Sequence, residues 1–403
     1  MTVKILSSEL RVGMYLTKLG GSWLKHPFLR NRFLLEDQND IKRILQAGIK
    51  EAWIDESKGL AREVKQEVEP EQEELIEELT TEELLAEQIK DEPVGSMEEE
   101  IQRARKFCNE AKEQVKEMFS EVRMGKSIDS EKIVPMVGEI ETLVQRNASA
   151  ILSVARLKTH DDYTYMHSIA VCALMISLAH HLKLDEEQTR LAGIGGLMHD
   201  LGKALMPTDI LQKPGKLTDA EFITVKKHPQ AGSSVLQQNG AEAAVVDIAL
   251  HHHEKINGSG YPDGLAGDDI SQLSRMAAIC DVYDAVTSER PYKKAWEPAA
   301  ALQAMAKWEG HFDKKIFATF VKSVGIYPVG ALVRLSNKRL AVVVEPNAES
   351  LLKPKVKSFF SITAKAAIEV KIIDLAAPNC AVTIEGPENS DKWGFKELER
   401  FWQ

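Results

Sequence analysis

From Met97 to Val122 apolar residues recur at spacings of four and three without a break: Met97, Ile101, Ala104, Cys108, Ala111, Val115, Met118 and Val122. A strand buries every second residue, so this spacing predicts a helix with one apolar stripe that must be covered. Two covers suit it equally: a second copy of the chain in a coiled coil, or the rest of its own domain. Gly125 ends this helix, and a second helical stretch follows through Ile140, Leu143, Val144, Ile151 and Val154. Residues 160–327 read helical almost throughout, with glycine-rich loops. Within them Thr218-Asp219-Ala220-Glu221 has the form of a capping box and predicts a helix start near 219. The expected fold class is mainly α.

Both flanks depart from that pattern. After Tyr327-Pro328 the chain breaks into short β-rich runs, 331–335, 340–344 and 367–373, which predict a small β-rich C-terminal appendage. Residues 1–62 predict a small α+β unit with strands at 12–17 and 49–54 and a helix over 40–47 that stops at Gly48. Trp23, Phe28, Phe33 and Trp53 are expected to supply much of its core. Between these lies an acidic linker, 63–97, with a helix-like stripe of Leu75, Ile76, Leu79, Leu84 and Leu85. The expected order is therefore 1–62 regulatory or interaction domain, 63–97 linker, 98–144 helical segment, 145–330 catalytic domain and 331–403 appendage.

Charge and cysteines narrow the classes. The 403-residue chain carries a net −10, yet residues 63–100 alone hold sixteen acidic residues against two lysines. The remainder is net positive, so the overall acidity does not exclude a phosphate-bearing ligand. Four cysteines (Cys108, Cys172, Cys280, Cys380) are scattered without a CxxC, which argues against a disulfide framework or a cysteine zinc site. No apolar run approaches a bilayer span, and residues 1–9 lack the apolar core of a signal peptide. A cytoplasmic location is expected.

Nine of the eleven histidines fall between His160 and His253. Imidazole is the commonest side-chain ligand for transition metals, so the clustering points to a metal centre. His167 lies near the start of an apolar helix; His199-Asp200-Leu201-Gly202-Lys203 closes another, with the glycine expected to end it. His228 lies in the next helix, and His251-His252-His253-Glu254 ends one. Asp281 and Asp284, spaced i,i+3, share a helix face. A single structural zinc needs four ligands, fewer than this set provides. Many imidazoles with a bridging carboxylate suit two metals about 3.5–4 Å apart, as in phosphoester hydrolysis.

The ordered set HDLGK (199–203), KPGKL (213–217), HHE (252–254), GSGYP (258–262) and TSERPY (287–292) resembles the HD-GYP domain, a branch of the HD phosphohydrolase superfamily. The resemblance covers roughly residues 145–330. Residues 1–62, with Gly13-Met14-Tyr15 and Ser22-Trp23-Leu24-Lys25-His26-Pro27-Phe28, resemble an uncharacterised domain that often precedes HD-GYP domains. What the resemblance implies is an all-helical HD-type catalytic domain that hydrolyses cyclic di-GMP to pGpG, and onward to GMP in many members, by attack of a metal-activated hydroxide.

Carried over position by position, it implies a first metal held by His167, His199, Asp200 and Asp281. Asp200 bridges to a second held by His228, His252 and His253. Iron is the first choice, with manganese or zinc as alternatives. Lys203 is expected to stabilise the phosphate or protonate the departing 3′ oxygen, against the alternative of a lysine complementing a helix end. Arg290 and Lys293 resemble phosphate contacts, a role suited to the guanidinium fork in particular. Tyr261 is divided equally between contacting the nucleotide and packing the loop. Asp284 is expected to orient a ligand or Lys203, while His160, His180, His181 and His251 receive no ligand role.

Two departures stand out. Some members carry a glutamate four residues before the first histidine, helping to hold a third metal; Tyr163 stands there and Asp162 lies off that helical face, so two metals are expected. Asn257 replaces a frequent aspartate, a change expected to preserve the loop. The implied partners are cyclic di-GMP and signalling proteins such as diguanylate cyclases, with no DNA, RNA or membrane. A homodimer through 97–122 is the coiled-coil alternative. Competing functions are hydrolysis of another cyclic dinucleotide, or a signalling module with weak or absent catalysis.

Overall fold

A computed structural model of the chain describes residues 2–7, 10–19, 32–35, 37–46, 49, 51–55, 58–59, 95–158, 162–213, 215–288, 295–347, 350–395 and 398–402. It divides into two compact units, Met1–Glu74 and Leu75–Gln403.

The first unit is α+β. Strands β1 (Thr2–Leu6), β2 (Tyr15–Leu19), β3 (Phe33–Leu34) and β4 (Glu51–Asp55) form an antiparallel sheet in the order β1-β4-β2-β3, with helix α1 at Gln38–Gln46. Leu10, Met14, Leu16, Leu35, Ile41, Ile44, Ile49, Ala52 and Ile54 make its core. The large aromatics are not that core. Alternation along β4 turns Ala52 and Ile54 inward and so turns Trp53 outward, where Lys4 and Lys18 approach its ring at 5.4 and 4.9 Å. Phe33 only edges the cluster; Trp23 and Phe28 lie outside the described residues. The acidic linker stripe of Leu75, Ile76, Leu79, Leu84 and Leu85 lies outside them too.

The second unit begins with α2 (Met97–Arg123). Ser96 and Glu99 form a reciprocal capping box at its start, and Gly125, at φ 72°, follows its end. Then come α3 (Ser130–Ala155), α4 (Tyr163–His181), α5 (Glu186–Met198), a 3-10 turn (Leu201–Leu205), α6 (Thr208–Leu211), α7 (Asp219–Val225), α8 (His228–Gln238), α9 (Ala243–His251), α10 (Gln272–Thr287), α11 (Pro298–Ala306) and α12 (Lys314–Val324). The capping box predicted at Thr218–Glu221 is present.

Helix α4 organises this unit. Every residue from Met166 to Ala179 is buried, and a helix apolar all round must be covered on every side. α2, α3, α5, α10 and α12 provide the cover. The α2 stripe is part of it: Ile101, Ala104, Cys108, Ala111, Val115 and Val122 lie in the core shared with α3 and α4. That resolves the two covers in favour of the chain's own domain. The alternative of a homodimer through 97–122 is left without its seam, because this face is already buried.

What reads as one second helical stretch has a kink. Asn147 leaves the helical region (φ −162°, ψ 94°), and its Oδ1 accepts from the Ala150 backbone N–H at 3.1 Å, capping the following segment. Next to it Arg146 donates to the buried Glu100 at 2.7 Å, tying the start of α2 to the kink.

Strands β5 (Leu332–Leu335), β6 (Arg339–Glu345), β7 (Lys355–Ser361), β8 (Ala366–Asp374) and β9 (Ile384–Pro387) form an antiparallel sheet ordered β8-β7-β6-β5-β9. Alternate residues Leu332, Leu340 and Val342 join the helical core, whereas Val333, Leu335, Ala341 and Val343 form a second cluster on the other face. The chain is thus mainly α, with a helical body and two small antiparallel sheets. Among the described residues no helix is long and apolar enough to cross a membrane.

Candidate functional site

Helix ends deliver the histidines and Asp200 to one place. His167 comes from the first turns of α4, His199 and Asp200 from the end of α5, His228 from the start of α8, and His252 and His253 from the end of α9; Asp281 and Asp284 project from α10. α5 itself stops at Met198, so Gly202 does not end it as expected. Gly202 sits in the 3-10 turn, where an added Cβ would lie 1.9 Å from the His228 carbonyl oxygen and 2.5 Å from the Gly232 nitrogen. Its role is close approach: it lets the His-Asp turn rest against α8. Gly202→Ala is therefore expected to lower stability by about 2–3 kcal/mol and displace His228; thermal unfolding together with bound-metal analysis checks this, and an unchanged melting temperature would contradict it.

The imidazoles share one hydrogen-bonding plan. Nδ1 of His199 faces the Gly196 carbonyl at 2.8 Å, Nδ1 of His228 faces the Val225 carbonyl at 2.8 Å, and Nδ1 of His252 faces the Ala249 carbonyl at 3.0 Å. Nδ1 of His167 lies 2.5 Å from the Asp284 carboxylate. Carbonyls and carboxylates only accept, so each Nδ1 carries a proton, and each ring in its neutral form has its lone pair on Nε2. Those lone pairs converge: the Nε2 atoms of His167 and His199 are 3.3 Å apart, and those of His228 and His252 are 3.2 Å apart. Two acceptors facing each other at that distance repel unless a cation lies between them.

Asp200 stands between the two pairs. Its Oδ1 is 3.2 Å from His228 Nε2 and 3.8 Å from His252 Nε2; its Oδ2 is 3.5 Å from His167 Nε2 and 3.4 Å from His199 Nε2. Oδ1 is buried with no hydrogen-bond partner among the described residues, an orphaned anionic atom that fits a cation. Asp281 Oδ1 lies 3.1 Å from His167 Nε2, and its Oδ2 lies 3.6 Å from His253 Nδ1. His167, His199 and Asp281 can hold one ion; His228, His252 and His253 another; and His199, Asp200 and His252 form a third, overlapping group. All are nearly buried except His253, whose side chain is 21% exposed and marks the mouth.

The charge balance follows from burial. Burial pushes the Asp200 and Asp281 carboxyls up, but Lys203 and the histidines around Asp200, and His167 and its neighbours around Asp281, hold both well below the usual range. Burial keeps His252 and His253 neutral, His253 falling to about 3. His167 alone goes the other way: burial would lower it, yet Asp200, Asp281 and Asp284 outweigh that and raise it to about 10. Neutral imidazoles and ionised carboxylates are the forms that bind metal, so a metal at His167 would take the place of its Nε2 proton.

Lys203 contacts Asp200 Oδ2 from a partly exposed position at the edge of the cluster. Asp284 holds His167, and its second partner is Lys158, not Lys203. The Tyr261 ring packs 4.7 Å from that of His253. Tyr163 stacks on His167 at 5.9 Å, while Asp162 is paired with Lys112 at 2.9 Å. Neither belongs to the potential ligand groups. Asn257 Oδ1 accepts from the Ser259 N–H and hydroxyl at 3.0 and 2.7 Å, a turn an aspartate would also make. His251 bridges Asp247 and Asp263, His180 faces Glu141, and His181 faces the Ser177 carbonyl. His160, Arg290 and Lys293 lie outside the described residues.

Two contributors escaped the sequence reading. Lys158 is fully buried with its ammonium on Asp284, but in sequence it is one more lysine between two helices. Glu254, quoted within HHE without a role, accepts from the backbone N–H groups of Asp263 and Gly264 at 2.7 and 2.9 Å and so braces the GSGYP loop. Its position beside His253 is the one signal that could have singled it out.

Comparison with known proteins places these features. A domain of unknown function, DUF3391, matches residues 2–133, and the HD domain matches residues 140–316. The chain is 48% identical over 410 residues to the cyclic di-GMP phosphodiesterase PA4108 of Pseudomonas aeruginosa, covering 100% of this chain and 96% of that relative. It is 34% identical over 180 residues to 3′3′-cGAMP-specific phosphodiesterase 1 of Vibrio cholerae, covering 43% of this chain and 42% of that one. Bd1817, an HDG"Y"P protein from Bdellovibrio bacteriovorus, aligns at 19% identity and a TM-score of 0.45, over 79% of this chain and 98% of its own.

Proposed function

Because the chain belongs to the HD-GYP family of HD-domain phosphodiesterases, we propose that it hydrolyses cyclic di-GMP to pGpG at a centre for two divalent ions. The observation that carries this reading is Asp200, whose two oxygens each face a separate pair of imidazole lone pairs. In this assignment His167, His199 and Asp281 hold one ion, and His228, His252 and His253 the other. Asp200 is shared. The mixed imidazole and carboxylate set accepts iron, manganese or zinc, and iron is the first choice by resemblance to the iron-containing centres of the family. When bound, such ions supply a nucleophile at neutral pH and neutralise charge on the phosphoryl oxygens.

The chain's own groups do the rest. Asp284 fixes the His167 ring, and the backbone carbonyls fix the other imidazoles, so the ligand atoms are positioned before substrate arrives. Lys203, next to Asp200 and partly open to solvent, is placed to offset phosphate charge and give a proton to the departing 3′ oxygen. Arg290 and Lys293 are assigned to the substrate phosphates, and Tyr261 to the wall beside His253. A cytoplasmic location belongs to this proposal and agrees with four free thiols, three of them buried.

The test is chromatography of cyclic di-GMP reactions with anaerobically purified protein loaded with iron or manganese. Appearance of pGpG, alone or with GMP, is the expected result. Absence of both products in the loaded enzyme would overturn the proposal.

A further inference from the structure

Lys226 stands at the mouth of the site with no carboxylate partner among the described residues. It follows directly on α7, and its Nζ lies 5.0 Å from the centroid of Phe222, one turn earlier, and 4.6 Å from that of Tyr261. Tyr261 in turn packs 4.7 Å from His253. The corner is held in place from two sides. Lys213 pairs with Glu221 at 2.6 Å, and the Val225 carbonyl accepts from Nδ1 of His228 at 2.8 Å. Phe222 is 49% exposed, a large aromatic ring left facing solvent beside that cation.

We propose that Phe222 and Lys226 form the subsite for a guanine base of the substrate, with Phe222 as the stacking surface and Lys226 reading the base edge. This rests on the cyclic di-GMP reading above and extends it to base choice. A phosphate would satisfy the ammonium but leave the ring unused, whereas a purine uses both. Base–aromatic stacking is indifferent to which purine is present. The lysine is not. Guanine presents two acceptors, O6 and N7, on the edge where adenine presents N7 and a donor amine, so a donor-only ammonium favours guanine. With the phosphate bound at the metal cluster, a base extends outward, and the mouth beside His253 is where it emerges.

The test uses the full-length, metal-loaded protein and hydrolysis-resistant phosphorothioate analogues of cyclic di-GMP and cyclic di-AMP. In Lys226→Met the ratio of the two Kd values falls about tenfold from wild type, whereas Lys226→Arg, which keeps the donors, retains most of it. Phe222→Ala weakens both analogues about tenfold and leaves their ratio in place. An unchanged ratio in Lys226→Met would overturn the assignment, as would a wild-type protein that does not prefer the guanine ligand. Selective binding without turnover of cyclic di-GMP would contradict the hydrolase and still support the subsite.

Discussion

Asp200→Ala lowers kcat/KM for cyclic di-GMP on the order of a thousandfold, about 4 kcal/mol of transition-state stabilisation. The size follows from position. Among the described residues, Asp200 is the one whose two oxygens face both imidazole pairs, and it is 1% exposed. Removing it leaves four converging Nε2 lone pairs without the anion between them and frees Lys203 from its partner. Asp200→Asn keeps the shape but loses the charge and is expected to lose nearly as much activity. Circular dichroism separates this from unfolding: the Asn variant should keep the helical signal. Near-normal turnover in metal-replete Asp200→Ala would show that the carboxylate is not part of the centre.

The second large effect is at Lys158, which touches neither substrate nor the ligand atoms. Its ammonium is fully buried on Asp284, and Asp284 fixes His167 through Nδ1. Burial raises the Asp284 carboxyl, and Lys158 with His167 brings it back below its ordinary value. Lys158→Met strands that carboxylate, so unfolding in metal-free buffer should become easier by about 3–5 kcal/mol. Freed to reorient, His167 should hold metal about ten- to hundredfold more weakly, the usual scale for losing a ligand's support. Lys158→Met/Asp284→Asn, with no stranded charge, should regain much of the stability but not the metal affinity. A loss of stability in Lys158→Met under about 0.5 kcal/mol would be an ordinary surface effect and would contradict the buried relay.

These two residues also mark what the sequence carries and where it stops. His167, His199, Asp200, His228, His252, His253 and Asp281 were legible because metal chemistry restricts residue type and the motifs carry them in order. The structure brings all seven together. Lys158 was illegible because its meaning is a contact across 126 residues with Asp284. The α2 stripe was legible as a helix face, since spacing alone sets that, but what covers it depends on α4 being apolar all round. In the first unit, side-chain size suggested Trp53 for the core, whereas strand alternation assigns that place to Ala52 and Ile54. Gly202 was read as a helix stop from its position, and its actual constraint, the His228 carbonyl, comes from another helix.

If one buried His/Asp cluster holds two metal ions through a shared Asp200, that carboxylate sets how many ions the chain carries. The most direct measurement is metal content per folded chain, by elemental analysis of anaerobically purified protein, for wild type and Asp200→Asn. Two ions per wild-type chain and a clear loss in the variant are the expected result. One ion or none in an active wild type, or two retained in Asp200→Asn, would contradict it.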